Sequence, residues 1–221
     1  MSVLPKSGLI QAVHSAKRNK EEARCFLQKV KQRSDGQAPL FLSDAWFYED
    51  ALYDTYCHYE EAPYKGRGRR PHPVRIVDEG LRYAQVYKKR DGKGNIEDIQ
   101  VRYVRGSEEE VIGIIQSTSR AKTVNTSYVE SRNGKYRKDD ARLIRKTACH
   151  SKKVLNHDAH INWLTGVFNF CRENDALKEL IAPDAPLFKQ KYRRSSPAMA
   201  EGLTDKILTV KELLCRRPIK D

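Results

Sequence analysis

Two carboxylates stand where metal-assisted phosphoryl transfer would need them. Asp44 closes the apolar run Pro39-Leu40-Phe41-Leu42, after Ser43, at the carboxyl end of an expected strand. Open α/β sheets place their ligand sites at that edge. Glu130 falls in the first turn of a helix that opens at about Thr126 or Ser127. Transfer of a phosphate group between oxygens is assisted by two divalent ions about 4 Å apart, one activating the attacking oxygen and the other steadying the leaving one. Small, hard Mg2+ takes carboxylate oxygen in preference to nitrogen or sulfur. Each residue also has a plainer reading: Asp44 caps the helix that follows it, and Glu130 completes a capping box with Ser127. Residue type and spacing leave both readings open. Cys57-His58, Cys149-His150 and the pair His157 and His160 have a weak metal-like look. Sequence neighbours point in different directions and rarely share one ion, so no zinc site is expected. The 5 cysteines are odd in number and lack Cys-x-x-Cys spacing, which predicts no disulfide framework.

The elements that would position these groups can be read from periodicity. Residues 8–16 read as a short strand carrying Leu9, Ile10 and Val13. Asn19 caps a helix over 20–33, with Glu22 at the third helical position and Ala23, Phe26, Leu27 and Val30 at helical spacing. Residues 39–42 form a buried strand, and a second helix spans about Ala45 to Tyr56. Strand, helix, strand, helix predicts a parallel β-pair with crossover helices, an α/β architecture. Residues 62–75 read as an exposed basic loop, and strands at about 81–89 and 96–105 form a hairpin around Asp91-Gly92-Lys93-Gly94-Asn95. A short helix follows Ser107, a strand fragment lies near Lys122-Thr123-Val124, and the Glu130 helix runs to about Arg145. Further helices occupy 152–172 and the tail, where Ser196-Pro197 starts a short helix ended by Gly202 and Thr209 to Glu212 is a capping box.

Charge narrows the class of partner. The 221 residues can bury one full core, or one core and a small appendage. Against 29 Asp and Glu stand 42 Lys and Arg, a net charge of +13, which draws a protein to polyanions: nucleic acid or an acidic membrane surface. The plain alternative is a basic protein such as a ribosome-associated factor. Mean hydropathy is -0.74, and no apolar run approaches the ~20 residues that cross a bilayer. Gly8 to Val13 is too short for a secretory signal, so a cytoplasmic, nucleoid-associated location without membrane partners is expected. From Arg132 to Lys153 there are nine Lys or Arg and two Asp. The loop from Tyr64 to Pro73, extended to Arg75, adds five basic residues, and Lys189, Lys191, Arg193 and Arg194 add more. Aromatic residues interleave sparsely with these cations, which favours double-stranded DNA held through its backbone.

Several segments, in order, resemble the DNA transposases of insertion sequences. Ser43-Asp44-Ala45-Trp46, then Tyr48 and Ala51-Leu52, is similar to a Ser-Asp-Gly-x segment of that family. Asn125-Thr126-Ser127-Tyr128-Val129-Glu130, Asn133, Ala141 to Thr147 and Ser151-Lys152 resemble its Asn-Thr-Ser-Tyr-x-Glu-Arg-x-Asn … Arg-Leu-x-Arg-Lys-Thr … Ser-Lys block, the most specific of the matches. Val167-Phe168-Asn169-Phe170 and Pro197 to Asp205 resemble later segments. Two positions depart: Ala45 replaces Gly, and the Arg expected directly after Glu130 stands at 132, about 100° further around a helix.

The resemblance implies an RNase H-like mixed sheet flanked by helices, carrying a DDE triad. It makes Asp44 and Glu130, 86 residues apart, the second and third acids and the ligands of Mg2+ or Mn2+. Residues 1–20 contain no Asp or Glu, so the first acid has no counterpart. The expectation is a fold incomplete at its N-terminus, lacking the recognition module such enzymes usually carry. Its segments would be a first core part over 1–61, an inserted β-hairpin element over 62–116, a second core part over 117–173 and a helical tail over 174–221. Arg67, Arg69, Arg70, Asn133, Arg137, Arg142, Arg145, Lys146 and Lys152 are the expected DNA contacts, with Glu130, Asn133 and Arg137 on one helix face. The expected activity is DNA transposition by metal-dependent phosphoryl transfer, in a form that binds DNA and is catalytically impaired. Homo-oligomerisation, or pairing with a full-length transposase, goes with it. The alternative is a non-catalytic DNA-binding regulator that blocks transposition.

Overall fold

The computed structural model describes residues 1–45, 49–64, 66, 68–119, 121–144, 146–181 and 192–216. In chain order its elements are β1 (Ser2–Val3), β2 (Ile10–Ala12), α1 (Lys20–Gln32), β3 (Leu40–Asp44), α2 (Glu49–Thr55), β4 (Cys57–Glu60), β5 (Val74–Val77), β6 (Arg82–Arg90), β7 (Ile96–Arg105), α3 (Glu108–Thr118), α4 (Ser127–Asp139), α5 (Val154–Gly166), β8 (Glu179–Leu180), β9 (Tyr192–Arg193), α6 (Pro197–Ala200) and α7 (Val210–Cys215). They form two compact units: residues 16–126, and residues 1–15 together with 127–221. No helix among the described residues is long and apolar enough to cross a membrane.

The unit over 16–126 is a mixed three-stranded sheet, ordered β3-β6-β7, flanked by helices. Strand β3 runs parallel to β6 with Leu40 opposite Arg82 and Asp44 opposite Val86, and β7 runs antiparallel to β6. Pleat alternation sends neighbouring residues to opposite faces. Phe41 and Tyr83 meet Leu27 of α1 and Ala51, Leu52 and Tyr56 beside them. Leu40, Leu42, Ala84 and Val86 meet Val111 and Ile115 of α3, with Val124. Helix α1 begins where expected, because the Asn19 side chain accepts from the Glu22 amide at 2.8 Å. The hairpin closes on Asp91, whose carboxylate accepts from the amides of Lys93 (2.9 Å) and Asn95 (2.7 Å), and Gly94 supplies the positive φ of 86°. The helix after β7 begins with a complete Ser107–Glu110 capping box.

Three expectations for this region are corrected. The parallel partner of β3 is β6, the first strand of the hairpin, and not a strand at 8–16. Only Ile10–Ala12 is strand there, and it pairs antiparallel with Ser2–Val3. The amide side chain of Asn169 bonds Ile10 on both sides, accepting from its N–H at 3.0 Å and donating to its C=O at 2.9 Å. Those are the backbone groups a further strand would use. Residues 62–75 are not wholly loop: Val74 and Arg75 open β5, which pairs antiparallel with β4 and closes the base of the basic loop. Lys122-Thr123-Val124 is a bend, and Val124 is buried in the α3 core instead of joining the sheet.

The other unit is mainly helical around a small core of Ile10, Tyr136 and Phe168, joined by Val3, Val13, Leu143 and Leu164. Helix α4 stops at Asp139 and does not run to about Arg145. Asp140 ends it, because its carboxylate caps a 3-10 turn over Ala141–Leu143 by accepting from the Arg142 amide at 3.0 Å. The same carboxylate lies 2.7 Å from His160 Nε2 on α5, tying the two helices together. Helix α5 widens into a π turn over Val167–Cys171, which turns both Phe168 and Asn169 inward. In the tail, Ser196 caps Pro197–Ala200, Gly202 follows at φ 71°, and Thr209 and Glu212 form the second capping box. All five cysteines are free.

Candidate functional site

Asp44 is the last residue of β3, at the carboxyl edge of the sheet, and it is exposed. Beside it runs a polar network that sequence reading missed. The Ser43 hydroxyl lies 2.8 Å from Tyr83 Oη, Gln85 Nε2 donates to Tyr83 Oη at 2.7 Å, and Tyr87 Oη donates to Gln85 Oε1 at 3.0 Å. Gln85 is only 3 % exposed, so these bonds satisfy groups that would otherwise be costly to bury. The signal was the alternation Tyr83, Gln85, Tyr87: odd residues of one strand share a face. Nearby, Tyr53 donates to Glu49 at 2.7 Å, and burial first, then that bond, pushes its phenol up to about 12. Trp46 and Tyr48, which the resemblance also used, lie outside the described residues.

Glu130 is in the first turn of α4 and exposed. Residues three and seven further on lie on the same side of a helix, so Asn133, half-buried, and Arg137, exposed, share its face. Arg132 and Tyr136 are buried on another side. Arg132 is thus a core residue: its guanidinium carbon lies 4.2 Å from the Phe168 ring centroid. Burial lowers its pKa from the usual arginine value. Tyr136 meets the same ring edge-on at 6.4 Å and pairs its hydroxyl with Thr165 at 2.7 Å.

The expected DNA contacts divide by how they are held. Arg142, Lys146 and Lys152 are exposed on the segment between α4 and α5. Lys146 is there in the left-handed region, at φ 59°. Arg69 and Arg70 are exposed on the loop between β4 and β5, where Arg70 lies 5.9 Å from the Tyr64 ring and Tyr64 Oη donates to Gly68 O at 3.0 Å. Arg67 and Arg145 lie outside the described residues, as do Lys65, Lys189 and Lys191. Arg75, counted with the basic loop, is engaged: with Arg24 it grips Asp54, whose side chain is 14 % exposed. The Arg24 bond, ahead of Arg75, holds the Asp54 carboxyl below the usual aspartate range. Arg194 similarly pairs with Glu173 at 2.6 Å.

Asp44 belongs to the unit over 16–126 and Glu130 to the other. Among the described residues no three His, Cys, Asp or Glu side chains gather as a metal-holding group. Comparison with protein-family models, with curated proteins and with solved structures gave no match to this chain.

Proposed function

We propose that this chain is a DNA-binding protein of the insertion-sequence transposase type, with an RNase H-like core, that holds duplex DNA through its phosphate backbone. The observation that carries the reading is the exposed face of α4. There Glu130, Asn133 and Arg137 stand together, in the segment of strongest family resemblance, and exposed Arg142, Lys146 and Lys152 follow within it. The net charge of +13 and the exposed Arg69 and Arg70 agree with it. Asp44 and Glu130 are the two acids that would hold Mg2+ or Mn2+, giving the Lewis-acid chemistry of strand cleavage and transfer. Among the described residues no three His, Cys, Asp or Glu side chains gather as a metal-holding group. That same observation favours the second reading, a regulator that occupies DNA, or pairs with active enzyme, without cutting.

Salt-dependent binding tests the proposal. Anisotropy of a labelled duplex should give a Kd that rises steeply with salt, because each phosphate neutralised releases about 0.9 counterions. The double variant Arg137→Ala, Arg142→Ala should lower that slope by about 2. Affinity independent of salt rejects the reading. Strand-transfer assays with Mg2+ or Mn2+ separate its two forms: robust transfer abolished by Asp44→Ala establishes an enzyme, and its absence leaves the regulator.

A further inference from the structure

We propose that β7 is an interface strand, which pairs antiparallel with β7 of a second copy of this chain about a twofold axis at Gln100. The observations are those of the sheet within residues 16–126, and they do not rest on the transposase reading.

Strand β7 is an edge of its sheet. All its strand pairing is to β6, and among the described residues no other backbone group bonds the backbone of Ile96–Arg105. An edge strand turns every second N–H and C=O away from its one neighbour, a ready template for a further strand. Residues 96–100 and 102 are exposed. Ile99, 55 % exposed, continues the face on which Val101 and Tyr103 pack beside α3, but it joins no core cluster.

The charges of β7 select a second copy as the partner. Glu97 and Asp98 lie towards one end of the strand, Arg102 and Arg105 towards the other. Antiparallel apposition of two copies therefore sets each acidic end against a basic one, the self-complementarity that a twofold contact requires. The pairing with β6 is regular from Asp98 opposite Lys89 to Tyr103 opposite Ala84, and its register shifts beyond both ends. Within that stretch an axis at Gln100 sets Asp98 against Arg102 twice and Ile99 against Val101. An axis one residue further, at Val101, sets no acid there against a base. Asp98 accepts from Gln100 Nε2 at 2.9 Å and Arg102 hydrogen-bonds Tyr87, yet among the described residues neither forms a salt bridge within its own chain. Glu97 and Arg105 are already taken, by Lys89 at 3.1 Å and by the carbonyls of Val77 and Asp78.

Sedimentation velocity of the full, nucleic-acid-free chain over a range of concentrations tests the interface. A reversible dimer is expected. Asp98→Arg and Arg102→Asp should each weaken it about tenfold, because the opposite-charge pair occurs twice and becomes a repulsion in both places. The double variant should recover most of the native affinity, since the swap restores both pairs. Within one chain the two positions are four residues apart on an extended strand, about 13 Å, too far for the swap to act internally. A chain that stays monomeric throughout overturns the proposal, as does a double variant that dimerises no better than the single ones. Ile99→Lys, at an exposed position outside the core, should weaken the dimer by a similar factor. Native affinity in that variant puts the contact elsewhere and overturns the proposal. If either charge reversal unfolds the chain by circular dichroism, Ile99→Lys decides.

Discussion

Single residues carry stability in this protein where several roles meet on one atom. Gly8 has φ 71° and no room for a side chain, since a Cβ would collide with Arg132 Nη2. Gly8→Ala should therefore destabilise by about 1–3 kcal/mol through backbone strain and displaced packing. A lower urea midpoint at unchanged slope checks it. Glu212 shows the charge counterpart: Lys206 above all, then the amide and hydroxyl of Thr209, pull its carboxyl down to about 2. A depressed carboxyl favours the folded state above the unfolded glutamate value of about 4.3. That contribution disappears as pH falls from there towards 2. An NMR titration should give a Glu212 midpoint near 2 in the native protein and a higher one in Lys206→Met.

At the scale of elements, the amide side chain of Asn169 takes both backbone groups of Ile10, where a neighbouring strand would otherwise pair. Replacing it with Leu leaves the Ile10 N–H and C=O without those bonds in a buried place, at a cost of about 2–4 kcal/mol. Hydrogen exchange of the Ile10 amide should accelerate in Asn169→Leu while the Lys93 and Asn95 amides of the hairpin, which belongs to the other unit, keep their rates. Local signals announced much of this architecture. The caps at Asn19, Ser196 and Thr209 and the Asp91–Asn95 turn fall where expected, because each is a contact between residues a few positions apart. Pairings across long separations were illegible. The run at 39–42 says strand, but nothing in it says that the partner lies 42 residues on, at Arg82 to Val86. Helix α4 misled for a related reason. Its basic run continues past Asp140, and only the cap on Arg142 and the bond to His160 reveal the stop. At the site, Asp44 and Glu130 were placed correctly on a strand end and a first helical turn. Arg132 looked like one more surface cation, since its burial depends on Phe168, 36 residues away.

For the whole molecule, the composition breaks expected at 61/62, 116/117 and 173/174 follow local changes of character, whereas the compact units follow long-range packing. Residues 16–126 hold both layers of helix against their sheet from one continuous stretch. A fragment of residues 16–126 should therefore unfold cooperatively alone. A fragment of residues 127–216, deprived of Ile10 and Val3, should lack a cooperative transition in calorimetry. During synthesis the consequence is one of timing. Ile10 leaves the ribosome 159 positions before the amide that receives it. The segment around Ile10 must wait undocked while residues 16–126 complete their own fold, so it is secured only after residues made long after it.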